Sequence, residues 1–262
     1  MIDAPVQNSG RDFDDADVAR AYAGRAPYPP ALFAHLAELA PVRGAAVDLG
    51  CGTGKLTGGL ARLFTAVTAI DPAKPMLAHA RRVNPQRNIL WINSLAEDAE
   101  IEGPVDLAVA GASIHWMRHA VVFPRLADLL SKGARIAIVE GDGPAEAEWM
   151  EAYRAVLVRW VERQGGVWNS PEFVARARAH ETWIDVEGSE TIAGDCEMRI
   201  EDLIDGEHSR ATWTRVKMGP LAEAFDADLR AVLAPHARDG RTAFRTETRL
   251  SWGRPRRTPK PL

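Results

Sequence analysis

Ala46-Val47-Asp48-Leu49-Gly50-Cys51-Gly52-Thr53-Gly54-Lys55 is the stretch that decides the fold. With Ala45, its first part is a short apolar run carrying one acid, of the length expected for a buried parallel strand. Glycines at alternate positions follow at once, and Leu56 to Phe64 then reads as a helix with Leu56, Leu60 and Leu63 on one face. Strand, glycine turn and helix bring backbone close to a ligand at the carboxyl end of a parallel sheet. Glycine supplies positive φ there and omits a Cβ that would strike the ligand. The helix start offers free N–H groups and a positive dipole end to an anionic group such as a carboxylate.

Three nucleotide-type readings compete for this turn. A Walker A loop needs Gly-x-x-x-x-Gly-Lys-Ser/Thr. Gly54-Lys55 matches its end, but Leu49 holds the first glycine position and Leu56 the hydroxyl position, so that reading fails. A dinucleotide fingerprint needs Gly-x-Gly-x-x-Gly, and Lys55 stands at its third glycine. What is present is acid-x-Gly-x-Gly-x-Gly, Asp48 to Gly54. The bland alternative is a glycine turn with no ligand.

Composition narrows the partners. The chain of 262 residues fits one large domain or one domain with an inserted cap. A net charge of −4 implies no general affinity for nucleic acid or an anionic membrane. The local exception, Arg254-Pro255-Arg256-Arg257-Thr258-Pro259-Lys260, is expected to be a solvated, disordered terminus. Two cysteines, Cys51 and Cys196, make no disulfide framework, and no zinc-type spacing supports a metal site. Met1 to Gly10 lacks the form of a secretory signal and no apolar run is long enough to span a bilayer, so a cytoplasmic location is expected.

Outward from the turn, residues 1–14 are polar and expected to be loose. Ala16 to Ala23 has helical composition, with Asp14 or Asp15 as its cap. Gly24-Arg25-Ala26-Pro27-Tyr28-Pro29-Pro30 breaks any regular element, and Pro30 suits the first turn of a helix over Ala31 to Ala40. Strands are expected at Ala66–Ile70, Asn88–Ile92, Val105–Ala110 and Ala134–Glu140, with helices at Lys74–Val83 and Phe123–Leu130 and a turn at Ser131-Lys132-Gly133. Five strands alternating with helices describe an α/β protein with a parallel sheet covered on both faces. Asp71 ends the second strand about 20 residues beyond Gly50, the position from which an acid accepts hydrogen bonds from ribose hydroxyls; capping the next helix is its other reading.

The alternation stops after Gly141-Asp142-Gly143. Glu146 to Arg163 and Pro171 to His180 read as helices, Ile192 to Ile200 as a strand, Pro220 to Ala237 as a helix and Arg241 to Trp252 as a strand with one wet face. Trp149, Tyr153, Val156 and Trp160 fall at helical spacing, which suits packing. Trp116, Trp149, Trp160, Trp168, Trp183 and Trp213 are concentrated after the fourth strand, enough to wall an apolar pocket or to fill a core.

Together these motifs resemble the class I S-adenosylmethionine (SAM)-dependent methyltransferases, type 11 group, near the trans-aconitate methyltransferase-like members. Residues 15–141 carry the resemblance by motif and the rest by layout. Tyr22 with Arg25-Ala26-Pro27-Tyr28-Pro29 resembles that group's N-terminal cap. Asp48 to Gly54 resembles its SAM motif, and Asp71 its ribose-binding acid. Ser94-Leu95-Ala96-Glu97 resembles the loop edging the adenine, although Leu95 replaces a frequent polar residue. Ala110 to Trp116 resembles the segment bordering the acceptor, with Ala112 where glutamine is frequent.

The resemblance implies a Rossmann-like seven-stranded sheet in order 3-2-1-4-5-7-6, strand 7 antiparallel, with a helical cap. It implies a single domain over 1–262, made of a SAM-binding core (15–141), an acceptor cap (144–215) and a closing helix and strand (216–254). Tyr22, Arg25, Asp48, Gly50, Gly52, Gly54, Asp71, Leu95, Ala96 and Ala110 are the implied cofactor-binding residues. Tyr28, His115 and Trp116 are the implied acceptor contacts, with no metal ligand. The implied reaction is methyl transfer, mainly O-methylation, to a small molecule, leaving S-adenosylhomocysteine (SAH). His115 is the candidate general base and His208 a second one; a substrate-contact histidine is the equal alternative for His115. A nicotinamide oxidoreductase is disfavoured by Lys55 and Asp48; a non-catalytic SAM-binding protein stays open. Nucleic-acid methylation is disfavoured by the negative charge and by the lack of an Asn/Asp-Pro-Pro-Tyr/Phe motif after the fourth strand.

Overall fold

The computed structural model describes residue 13 and residues 15–261. The expectations of a loose terminus over 1–14 and of an Asp14 cap therefore fall outside the described residues, Phe13 excepted. Ten α-helices and eight strands are found among those described. They run α1 (Ala16–Tyr22), α2 (Pro30–Leu39), β1 (Ala45–Leu49), α3 (Thr57–Leu60), β2 (Ala66–Asp71), α4 (Lys74–Val83), β3 (Ile89–Asn93), β4 (Val105–Gly111), α5 (His119–Leu129) and β5 (Leu130–Glu140). The second half adds β6 (Pro144–Glu146), α6 (Met150–Arg163), α7 (Pro171–Arg178), β7 (Ile184–Arg199), α8 (Ile200–His208), α9 (Arg215–Met218), α10 (Ala222–Leu233) and β8 (Arg241–Pro255).

The sheet order is β3-β2-β1-β4-β5-β8-β6, with β7 on the other edge of β8. Strands β1 to β5 are parallel, and β8 is antiparallel to both β5 and β7. Counting β7 and β8 as the sixth and seventh strands gives the expected 3-2-1-4-5-7-6. The difference is an eighth strand, β6, which pairs with β8 at Pro144↔Thr246 and Glu146↔Arg245. Three residues with no apolar alternation give a sequence reading nothing to find.

Strand alternation sorts the two faces. Val47, Leu49, Ala108, Ala110, Ile136 and Ile138 pack with Val122, Phe123 and Leu126 of α5. Ala46, Val67, Leu107, Val109, Ala137 and Val139 pack with Leu32 and Leu36 of α2 and Leu60 of α3. A third cluster joins α6, α8 and α10 through Trp149, Trp160, Leu203, Trp213, Phe225 and Leu229, and it takes in Ala26. Three of the six tryptophans therefore fill a core rather than wall a pocket.

Several boundaries move for physical reasons. The helix expected over Leu56–Phe64 shrinks to Thr57–Leu60, because Gly58 and Gly59 are poor helix formers. At its start Gly54 N–H bonds Cys51 O and Gly58 N–H bonds Gly54 O. The turn expected at 131–133 lies inside β5, with Gly133 at φ +87° beside a register shift. Strand β7 begins at Ile184, earlier than Ile192, and α8 replaces its expected end. The acids that hid its start are paired: Glu187 with Arg135 (2.6 Å) and Arg254 (2.8 Å), Asp185 with Arg256 (2.7 Å). The basic tail is thereby ordered, correcting the expected loose terminus. Arg256 N–H donates to Trp183 O and Lys260 N–H to Thr182 O. No helix among the described residues is long and apolar enough to cross a membrane.

Candidate functional site

A cleft opens at the carboxyl ends of β1, β2 and β4. Counted out to open solvent it holds about 680 Å³. Phe13, Tyr22, Gly50, Gly52, Asp71 and Met76 line it, as do Leu95, Ala96, Glu97, Ser113, Trp116 and Met117.

The glycine turn is built for close approach. Gly50 lies at φ +66°, and a Cβ there would stand 2.6 Å from Ser113 Cβ. Gly52 lies at φ +53°, and a Cβ there would meet nothing within 4 Å. No neighbour inside the protein therefore requires glycine at 52, only its left-handed backbone does; an added side chain would project into a cradle on the cleft wall. Asp71 braces this turn from β2, its Oδ2 accepting from Gly52 N–H (2.8 Å) and its Oδ1 from Ala73 N–H (2.8 Å). Ser113 Oγ donates to Leu49 O at 2.6 Å, tying the end of β4 to the end of β1. Beside it Ala112 sits at φ +50°, a region that L residues rarely adopt, and turns the chain out of β4 along the cleft.

Seven of the expected residues are brought together here: Tyr22, Gly50, Gly52, Asp71, Leu95, Ala96 and Trp116. Six are placed elsewhere. Asp48 lies beneath the turn, 1% exposed, accepting from Thr57 Oγ1 at 2.6 Å; burial raises its pKa to about 7. Gly54 is wedged against Asn84, Ala80 and Trp91. Ala110 faces the α5 core, because strand alternation turns it away from the lining and leaves Gly111 there. Tyr28 belongs to the core with Leu56 and Leu107. Arg25 turns under Tyr22 and binds Asp142 and Ser209. His115 stands beside Trp116, ring centroids 5.0 Å apart, behind the lining. Burial, then Arg176, lowers its pKa to about 4, so it is neutral at pH 7.

His208 is also displaced. It is buried between Trp213 O (2.6 Å from Nδ1) and Asp226 Oδ1 (2.6 Å from Nε2), inside the helical cluster, so both ring nitrogens are engaged structurally. Sequence reasoning missed Phe13, Met76, Ser113 and Met117 on the lining. The last two lie in and just beyond the quoted strand-4 segment, and their spacing after Gly111 was the available signal. Among the described residues no group of His, Cys, Asp and Glu is arranged to hold a metal ion.

A methyltransferase domain family model matches residues 46–133. The chain is 30% identical over 136 residues to an uncharacterized methyltransferase of Mycobacterium tuberculosis, covering 52% of this chain and 55% of that protein. It is 30% identical over 201 residues to trans-aconitate 2-methyltransferase of Streptomyces coelicolor, covering 73% of this chain and 64% of that one. The chain thus spans little more than half to under two thirds of these relatives. A solved structure from Anaeromyxobacter dehalogenans, described as a type II methyltransferase, superposes with a TM-score of 0.69. It is 25% identical and is covered over 97% of its length by 88% of this chain.

Proposed function

We propose that this chain, which has the domain and the sheet of the class I SAM-dependent methyltransferases, transfers a methyl group from SAM to a carboxylate-bearing small molecule. The observation that carries the reading is the cradle at Gly52, open where a Cβ would stand and braced by Asp71. The residues present fit SAM. Asp71 would accept from the ribose hydroxyls, Leu95 and Ala96 would border the adenine, and Tyr22 with the Gly50–Gly52 backbone would enclose the amino-acid end. When bound, SAM supplies a methyl group on a positively charged sulfur, open to in-line attack by a nucleophile.

The chain's own task is then to orient and to exclude water. Holding two reactants in line contributes roughly 7–11 kcal/mol to such a reaction. Phe13, Trp116 and Met117 give the cleft apolar walls, and Arg176 lies 5.0 Å over the Trp116 ring. A general base works best with a pKa near the working pH. His115, at about 4, is a weak one. That favours an acceptor already ionised at neutral pH, which needs no base. Trans-aconitate 2-methyltransferases, by their name, methylate such an acid, and two of them resemble this chain. The methyl group would therefore go to a carboxylate oxygen.

Radiolabelled SAM incubated with the chain and a panel of di- and tricarboxylic acids, phenols and amines tests it. The expected product is a base-labile methyl ester from one of the acids, formed together with SAH. Transfer only to phenols or amines would overturn the carboxylate reading. SAM binding without transfer to any class would favour a non-catalytic SAM-binding protein.

A further inference from the structure

Two buried cations converge on one oxygen. Arg25 Nη1 lies 3.1 Å and Lys55 Nζ 3.7 Å from Oδ2 of Asp142, the residue just past β5. The three side chains are 9%, 19% and 6% exposed. Each cation seats a tyrosine of the N-terminal segment: Arg25 Cζ is 4.0 Å from the Tyr22 ring centroid, and Lys55 Nζ is 4.9 Å from that of Tyr28. Lys55 Nζ also donates to Ala26 O, and Arg25 donates to Ser209 Oγ and O. Arg210 is the third cation acting on this carboxylate, and it is itself paired with Glu207. Tyr22 lines the cleft, as does the glycine turn that ends next to Lys55. The joint therefore ties two walls of one cleft together from behind.

We propose that Asp142 is a positioning residue whose carboxylate latches the Tyr22–Tyr28 segment to the glycine turn and so holds the cleft closed. It is not among the residues that line the cleft. Without the carboxylate, Arg25 and Lys55 become two buried like charges with no counter-ion, which is strongly unfavourable. Swinging the segment outward rehydrates both. A ligand that needs the closed form then binds more weakly in proportion to the fraction closed. Only the ligand readout of this proposal rests on the cleft being a SAM site.

The test uses the full chain and two measurements, amide hydrogen exchange without ligand and titration with SAH. In Asp142→Asn, amides of residues 16–29 should exchange tenfold faster or more, while those of β1 and β4 stay as in wild type. If the closed fraction falls to about one tenth, the SAH dissociation constant rises about tenfold. Adding Lys55→Met to Asp142→Asn removes one stranded cation and should recover part of both losses. A residue that merely fills space would give losses that add. Exchange at 16–29 within twofold of wild type, loosening spread over the sheet, or no recovery in the double variant would each overturn the latch. Should Asp142→Asn fail to fold, Lys55→Met alone decides. It should quicken exchange at residues 26–29 and 50–55, and unchanged exchange there refutes the proposal. If wild type takes up no SAH, the SAM reading of the cleft fails, and exchange still decides on the latch.

Discussion

Asp71 and Asp48 stand at the ends of neighbouring strands and have opposite fates. Asp71 reaches the cleft and braces it, accepting two backbone N–H bonds. A carboxylate can accept about four hydrogen bonds, so bracing and ligand binding are compatible. Asp71→Ala should weaken SAH binding by about 1.5–3 kcal/mol, the scale of charge-assisted hydrogen bonds. It should also cost about 1–3 kcal/mol of stability, because the Gly52 and Ala73 amides lose their acceptor. Calorimetric titration and urea unfolding check the two effects. Asp48 by contrast is buried away from the cleft, and burial raises its pKa to about 7. Between about pH 4 and 7 the folded protein keeps a proton there that the unfolded chain has released. Stability from this residue is therefore present at the acid end and lost as pH rises towards 7 and beyond. The loss is on the order of a few kcal/mol. Asp48→Asn keeps an acceptor for Thr57 and should remove that decline, so variant minus wild-type stability should grow from pH 4.5 to pH 8 in urea unfolding. An equal difference at both pH values would mean that Asp48 ionises normally. The acid's place before the glycines was legible from spacing alone. Its burial was not, because it depends on Thr57 closing over it from α3.

At the scale of elements, the first five strands were legible because each holds an apolar run bounded by turn residues such as Gly, Pro, Asp or Asn, with helical spacing between. The second half was less so, because its sheet is held by charge as much as by apolar packing. Ahead of the strand expected from Ile192, Asp185, Glu187 and Glu190 read as loop until β8 is set beside them, and Asp195 and Glu197 continue the acidic series within it. Glu197 meets Arg241 at 2.8 Å and Asp195 meets Arg245 at 3.5 Å. Exposed pairs of this kind contribute little each, typically 0–1 kcal/mol. The ladder nevertheless sets which strand lies beside which. The basic tail extends it, crossing residues 182–185 with two backbone hydrogen bonds and the Arg256–Asp185 pair. Removing residues 256–262 should therefore quicken amide exchange at residues 182–188 selectively, with little change in global stability. Unchanged exchange there would mean that the tail contributes no order to β7.

Over the whole molecule two cores meet through the N-terminal segment. The sheet core supplies the glycine turn, Asp71 and the strand-4 wall of the cleft. The helical core of α6, α8 and α10 reaches the cleft only through what it grips. Ala26 is buried in that core, and a Cβ on Gly24 would stand 2.2 Å from Asp202 O and 2.8 Å from Gly206 N. Tyr22, four residues before Ala26, lines the cleft. A ligand held beneath Tyr22 must then stabilise both cores, since neither can loosen without releasing that segment. At a concentration 100 times its dissociation constant, SAH should add about 2.7 kcal/mol to the stability of the folded chain. For a chain of this size that corresponds to a rise in Tm of roughly 5–10 °C. Calorimetry should show one transition moving as a unit. If the helical core unfolded independently, a second transition would remain at its original temperature whatever the SAH concentration, and the coupling through residues 22–26 would be refuted.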